Sequence, residues 1–122
     1  MIECSFDSNI LIDVLNGNAL ARQELKRVER RFISRVSWIE VLSKLSPGTD
    51  RTMEAFFADF HIDEVSLPIS RRAAELRRER SKLKLPDAVI LASAQVNGRT
   101  LVTRNTKDFP ADMPGVRVPY TL

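Results

Sequence analysis

The chain is poor in the residues that usually carry covalent or redox chemistry. Of its 122 residues, one is cysteine, one histidine, one tryptophan and one tyrosine. A single cysteine, Cys4, excludes an internal disulfide and a cysteine-based zinc site, and reads as buried packing. A single histidine, His61, excludes a histidine-based acid–base pair and reads as the start of a strand. No apolar run approaches the ~20 residues of a membrane span. The opening Met1-Ile2-Glu3-Cys4 lacks the basic-then-apolar pattern of a signal peptide, so a cytoplasmic protein is expected. The P-loop pattern and the G-x-G-x-x-G pattern are both absent, which removes the usual nucleotide-binding signals. There is no internal repeat, low-complexity segment or linker.

What the chain does have is charge. Nineteen Lys and Arg face sixteen Asp and Glu, giving a net charge of +3 and a pI near 9.4. The surplus is small but clustered. Lys26, Arg27, Arg30, Arg31 and Arg35 crowd one segment, and Arg71, Arg72, Arg77, Arg78, Arg80, Lys82 and Lys84 crowd another. Such runs are either solvated helix faces or a surface that attracts a phosphate backbone. A chain of this length buries about two-thirds of its unfolded surface as one domain, so a single domain over residues 1–122 is expected.

The stretch Leu85–Phe109 organises the rest. Pro86 suits a first helical turn, where its missing N–H costs nothing. Asp87 then lies at the positive end of the helix dipole. Residues Ala88–Val96 are apolar or small, as in a helix buried on most sides, and Asn97-Gly98 stops it. Thr100–Thr103 reads as a strand and Arg104–Phe109 as the loop leaving it. Earlier in the chain, Ile2–Phe6 reads as the first strand. A helix follows, capped by Asp7 or Ser8, with Ile10, Leu11, Val14 and Leu15 as its apolar stripe. Ala19–Val28 is expected to be helical with Leu20, Leu25 and Val28 inward. Arg31–Arg35 reads as a strand, and Ser37 as the cap of a helix Trp38–Leu45 with Glu40 at capping-box spacing. Arg51–Phe60 reads as a helix whose Met53, Phe56, Phe57 and Phe60 belong to the core. Ile62–Leu67 (strand), Ser70–Ser81 (basic helix after Pro68) and Val116–Tyr120 (edge strand with Pro119) complete the pattern. Strands alternating with helices predict a three-layer α/β/α fold, its central sheet of about five strands mostly parallel.

In such a sheet, ligands bind beyond the C-terminal ends of the strands, where strand order reverses. Asp7 ends the first strand, Asp87 opens the buried helix, Asp108 lies in the loop after the next strand, and Glu40 sits one turn into another helix. Each has an ordinary structural reading as a cap, dipole partner or turn former. Together on one rim they would raise one another's pKa. A hard divalent cation relieves that repulsion, and Mg²⁺ needs only one or two protein carboxylates. An acidic floor within a basic surround suits a phosphodiester substrate. Trp38 reads as core, and Asp13 as a helix-surface residue.

These residues also carry a resemblance. Asp7-Ser8-Asn9-Ile10-Leu11-Ile12-Asp13 resembles the opening motif of PIN-domain proteins, and Ser37-Trp38-Ile39-Glu40-Val41-Leu42 their second. Leu85-Pro86-Asp87-Ala88 and Leu101–Phe109 are similar to the third and fourth. The likeness spans essentially the whole chain, with VapC-type toxins as the nearest subgroup. The resemblance implies a Mg²⁺- or Mn²⁺-dependent endoribonuclease of a toxin–antitoxin pair. It implies homodimerisation and an antitoxin whose C-terminal segment covers the acidic cleft. By motif, Asp7 and Asp87 would be the metal ligands, and Glu40 would bind metal or position the attacking water. Asn9 and Thr103 would orient the acids. Some relatives carry an acid where this chain has Asn105, so the fourth carboxylate is Asp108 or is missing. Two competitors remain. An aspartate-based phosphatase would place a second acid where this chain has Asn9, and a degenerate PIN domain would act only as a binding partner.

Overall fold

The computed structural model describes residues 2–122. Five strands, β1 (Glu3–Phe6), β2 (Arg30–Ser34), β3 (His61–Asp63), β4 (Thr100–Val102) and β5 (Val116–Arg117), form one sheet in the order β3-β2-β1-β4-β5. Every neighbouring pair is parallel, as the alternation of strands and helices requires. Six helices accompany the sheet: α1 (Ser8–Leu15), α2 (Ala19–Lys26), α3 (Arg35–Ser43), α4 (Asp50–Phe57), α5 (Leu67–Glu79) and α6 (Leu85–Val96).

Alternation along the strands divides the core in two. Cys4 and Phe6 of β1 and Val102 of β4 enter one apolar cluster with Ile10, Leu11, Leu25, Phe57 and Phe60. Leu101 enters the other, with Ile69, Leu76, Leu83, Phe109 and the apolar face of α6. The sheet is therefore covered on both faces, the condition under which a parallel sheet is stable. Ser5, the small polar residue at the centre of β1, is buried at 3% exposure, and no hydrogen bond satisfies its hydroxyl.

From β1 the chain winds outward through β2 to β3. It then crosses back through α5 and α6 and enters β4 on the other side of β1. Strand order reverses between β1 and β4, so the crevice of the fold opens above their C-terminal ends. Asp7 and Thr103 are the residues that follow those two ends.

Several boundaries differ from the sequence reading, each for a local reason. Helix α3 starts at Arg35 because Ser34 caps it, its hydroxyl accepting from Val36 N at 3.1 Å. Ser37 thus lies inside the first turn, fully buried, and the Ser37–Glu40 capping box does not form. Helix α5 starts at Leu67 under a Ser66 cap, with Pro68 in its first turn, which cuts β3 to three residues. The last strand is two residues long; beyond it Tyr120 buries its ring rather than pairing its backbone. Leu20 is exposed at 48%, and Asp13, expected on the surface, is buried at 4%. The aromatic residues of α4 do enter the core: Met53, Phe57 and Phe60 are buried and Phe56 packs on them. Trp38 packs with Phe57, ring centroids 6.0 Å apart.

Candidate active site

The site begins with the turn after β1. Asp7 is the N-cap of α1; its Oδ1 accepts from Ser8 N at 2.7 Å. Its Oδ2 accepts from the Thr103 hydroxyl at 2.7 Å and from Asn9 Nδ2 at 3.3 Å. Thr103 Oγ1 in turn accepts from Asn9 Nδ2 at 3.2 Å and from Asn105 N at 3.0 Å. Asn9 Oδ1 accepts from Arg104 N at 3.3 Å. The first turn of α1 is thereby stitched to the loop after β4, across the switch point. Asn9 and Thr103 both bond to the Asp7 carboxylate within this network.

Glu40 enters from α3. Since Ser34 starts that helix, Glu40 lies in its second turn, and its Oε1 accepts from the Ser8 hydroxyl at 2.6 Å. Asp87 enters from the first turn of α6, half-buried, where the dipole favours its charge. Asp7, Ser8, Asn9, Glu40, Asp87 and Asn105 line one cleft of about 150 Å³, with Lys44 the one cation among its lining residues. Asp108 stands one step back, its Oδ2 accepting from Asn105 Nδ2 at 3.0 Å. At the fourth position, then, it is Asn105 that faces the cleft, with Asp108 behind it. Three larger clefts exist: about 550 Å³ between α3 and α4 and about 640 Å³ between α5 and α6, both mainly apolar, and about 420 Å³ at the end of α5, lined mostly by charged side chains. Convergent carboxylates distinguish the small one.

The electrostatics of the cleft are those of a site short of positive charge. Burial pushes Asp87 up, and the carboxylates of Asp7, Asp108 and Glu40 add to the shift against the opposing Lys84, to about 6. Asp7 is also raised, by burial first and by Glu40. The hydrogen bonds from Thr103 and Ser8 and the Arg104 charge offset only part of this. Among the described residues no three acidic, histidine or cysteine side chains stand as a ready-made metal cage. The donor set fits an ion that keeps much of its water and takes one or two carboxylates, the habit of Mg²⁺.

Sequence reasoning missed four contributors. Ser8 looked like a cap alternative and instead holds Glu40. Asp13, Arg104 and Tyr120 form a second network beside the cleft. Arg104 makes a two-pronged ion pair with Asp13, at 2.6 and 2.9 Å, and the Tyr120 hydroxyl donates to Asp13 at 2.7 Å. The only signal available was the position of Asp13, six residues after Asp7 and one residue before a partly buried stripe position, Val14.

A five-stranded parallel α/β fold with acids gathered at the switch point defines a class, and a family model describes it: the PIN domain model matches residues 5–111. The chain belongs to the PIN-domain family. It is 31% identical over 111 residues to Ribonuclease VapC10 of Mycobacterium tuberculosis, covering 85% of this chain and 84% of that protein. Among solved structures it resembles a chain of a toxin-antitoxin complex from Klebsiella pneumoniae, at 41% identity and TM-score 0.87, covering 98% and 99% of the two chains. FitAcB from Neisseria gonorrhoeae shares the fold at TM-score 0.79 and 22% identity, with both chains fully covered.

Proposed function

We propose that this chain is a divalent-metal-dependent endoribonuclease, the toxin of a toxin–antitoxin pair, working as one PIN-like unit in a homodimer or a toxin–antitoxin hetero-oligomer. The observation that carries the reading is the cleft in which Asp7, Glu40 and Asp87 converge with too little positive charge to neutralise them. The relatives support it: one is named a ribonuclease, and a 41%-identical chain is part of a toxin–antitoxin complex.

In this reading Asp7 and Asp87 hold Mg²⁺ or Mn²⁺. When bound, such an ion supplies a water of lowered pKa and stabilises charge on a phosphoryl oxygen. The chain's own residues do the rest. Thr103 and Asn9 fix the rotamer of Asp7 through hydrogen bonds, and the bond from Thr103 favours the ionised form. Ser8 fixes Glu40, which orients the attacking water. Asn105 presents an amide at the fourth position with Asp108 behind it. The attacking oxygen bonds to phosphorus as the bond to the leaving ribose oxygen breaks. The antitoxin covers the cleft.

RNA incubated with the purified chain should be cut with Mg²⁺ or Mn²⁺ and left intact in chelator. Asp87→Asn should lose cleavage by about 10²–10³-fold, the scale of deleting one key electrostatic group. Equal cleavage by the variant, or cleavage that persists in chelator, would reject the assignment. Expression of the chain alone should slow growth, and co-expression of the neighbouring small gene product should restore it. Asn105 favours a second reading, a binding module without catalysis, because it puts a neutral amide where an acid could stand; the same cleavage assay decides between them.

A further inference from the structure

A second polar pocket adjoins the acid cleft and has the opposite charge. It is about 420 Å³ and lies between the end of α5, the connection to α6 and the loop after β4. Arg80, Lys82 and Lys107 line it, with Glu79 and Asp108. Both acids are engaged elsewhere: Glu79 pairs with Arg72 at 3.7 Å, and the Asp108 carboxylate accepts from Asn105. The cations are not. Among the described residues, no ion pair includes Lys82, Lys107 or Arg80. Arg80 Nη2 donates to the Asp108 backbone carbonyl, while its Nη1 is buried without any hydrogen-bond partner. A guanidinium N–H left unmet is unfavourable, and this one belongs to a side chain that lines the pocket. Along α5 the cations are divided: Arg72 is bonded to Gln95 and Glu75, and Arg77 to the Leu83 carbonyl, while Arg71 and Arg78 are exposed.

The two pockets share one loop. Asn105 lines the acid cleft, Asp108 lines the basic pocket, and the Asn105–Asp108 hydrogen bond joins them. Lys84, on the same connection as Lys82, is close enough to Asp87 to lower its pKa. We propose that Arg80, Lys82 and Lys107 form a subsite for a backbone phosphate of single-stranded RNA, flanking the phosphate held at Asp7 and Asp87. The subsite rests on the nuclease reading above for its ligand, and binding tests it independently of cleavage. Polyanion geometry favours RNA over an acidic peptide, because one strand carries regularly spaced phosphates that can reach both pockets.

The test measures binding of a single-stranded oligouridylate to full-length Asp87→Asn, with and without Lys82→Gln/Lys107→Gln, between about 50 and 200 mM salt. Both lysines are exposed, so the substitutions spare the core. Losing one phosphate contact should make the log Kd against log salt plot shallower by about 0.7 and weaken binding by about fivefold at 0.1 M salt. Arg22→Gln/Lys26→Gln, exposed on α2 across the sheet, should change neither by as much. Equal loss in both double variants, or no loss in either, overturns the subsite, as does the absence of any RNA binding. A polyglutamate peptide that binds as tightly as RNA and depends equally on the two lysines assigns the pocket to an acidic protein segment and overturns it too. Cleavage by a wild-type chain whose binding ignores these lysines removes the subsite and leaves the nuclease. Lysine-dependent binding by a chain that never cleaves does the reverse.

Discussion

Asp7 caps α1 and Asp13 lies in it six residues on, and the two are almost equally buried, at 3% and 4% exposure. Their environments are nonetheless opposite. Burial pushes both carboxyls up, but at Asp13 the hydrogen bonds from Arg104 and Tyr120 outweigh it and hold the group below the usual range. At Asp7 the neutral donors Thr103 and Ser8 do not suffice, and the group stays raised. The chain therefore had a cation within reach and spent it on Asp13. Arg104 follows Thr103 directly, yet its guanidinium turns away from the cleft. A buried carboxylate neutralised by its own chain is part of the scaffold. One held in place by neutral donors, beside other acids, has no such partner from its own chain, and in the function proposed above a cation from outside supplies it.

Breaking Asp13 should separate the two roles most sharply. Asp13→Ala leaves the part-buried Arg104 without its partner, and removing one member of a buried pair costs about 3–5 kcal/mol. Arg104 keeps about a third of its side chain in water, so about 3 kcal/mol is expected, or a Tm lower by roughly 10 °C at this size. Because the folded pKa of Asp13 is depressed, its contribution is present above the ordinary carboxylate range and lost as pH falls through it. The gap between wild type and variant in thermal melts should close toward pH 3. A variant as stable as wild type at pH 7 would show that the pair is ornamental.

The sign reverses at Asp87. Its folded pKa of about 6 lies above the ordinary 3.8, so the folded state binds more protons than the unfolded between those values. Stability attributable to this group is highest near pH 4 and falls as pH rises through 6. The full shift corresponds to about 3 kcal/mol, and partial exposure reduces that to roughly 1–2. Metal-free Asp87→Asn should therefore melt above wild type at pH 7.5 and level with it at pH 4. Addition of Mg²⁺ should stabilise wild type and leave the variant nearly unmoved. Destabilisation by Asp87→Asn at pH 7.5 would mean that the cleft is already neutralised and that the contrast with Asp13 is false.

Much of this was legible in the sequence because it rests on short-range rules. The Pro86–Asp87 start of α6, the stop at Asn97-Gly98 and the alternation of strands and helices all read locally, and they suffice to place Asp7 and Asp87 on one rim. Glu40 reached the rim too, but through a different turn of helix, since Ser37 was read as the cap and Ser34, at the end of β2, takes that role. Asn105 and Asp108 were indistinguishable in one dimension; their order from the cleft outward depends on how the loop folds back to hydrogen-bond itself. Asp13 was misread for a related reason. Its partners are Arg104, 91 residues on, and Tyr120, 107 residues on, and no helical periodicity reports a contact of that range. Tyr120 itself was read as part of an edge strand, when burying its ring against α1 ended the strand at Arg117.

That last contact offers the finest test of the comparison. Tyr120→Phe removes one hydrogen bond to a charged acceptor and keeps the ring, which is buried at 9% exposure. Bonds to charged groups contribute about 1.5–3 kcal/mol, and Arg104 remains in place to satisfy the same oxygen, so a loss near 1.5 kcal/mol is expected. The phenol is raised well above its usual range, by burial and by the bond to Asp13, so wild type should keep this contribution through mildly alkaline pH. Cleavage by Tyr120→Phe at a temperature where it is folded should match wild type, since the substitution touches only the network that holds Arg104 away from Asp7. If instead cleavage falls while the melting temperature holds, Arg104 has swung toward the cleft and neutralised Asp7. The two aspartates would then be two positions of one shared cation rather than separate devices.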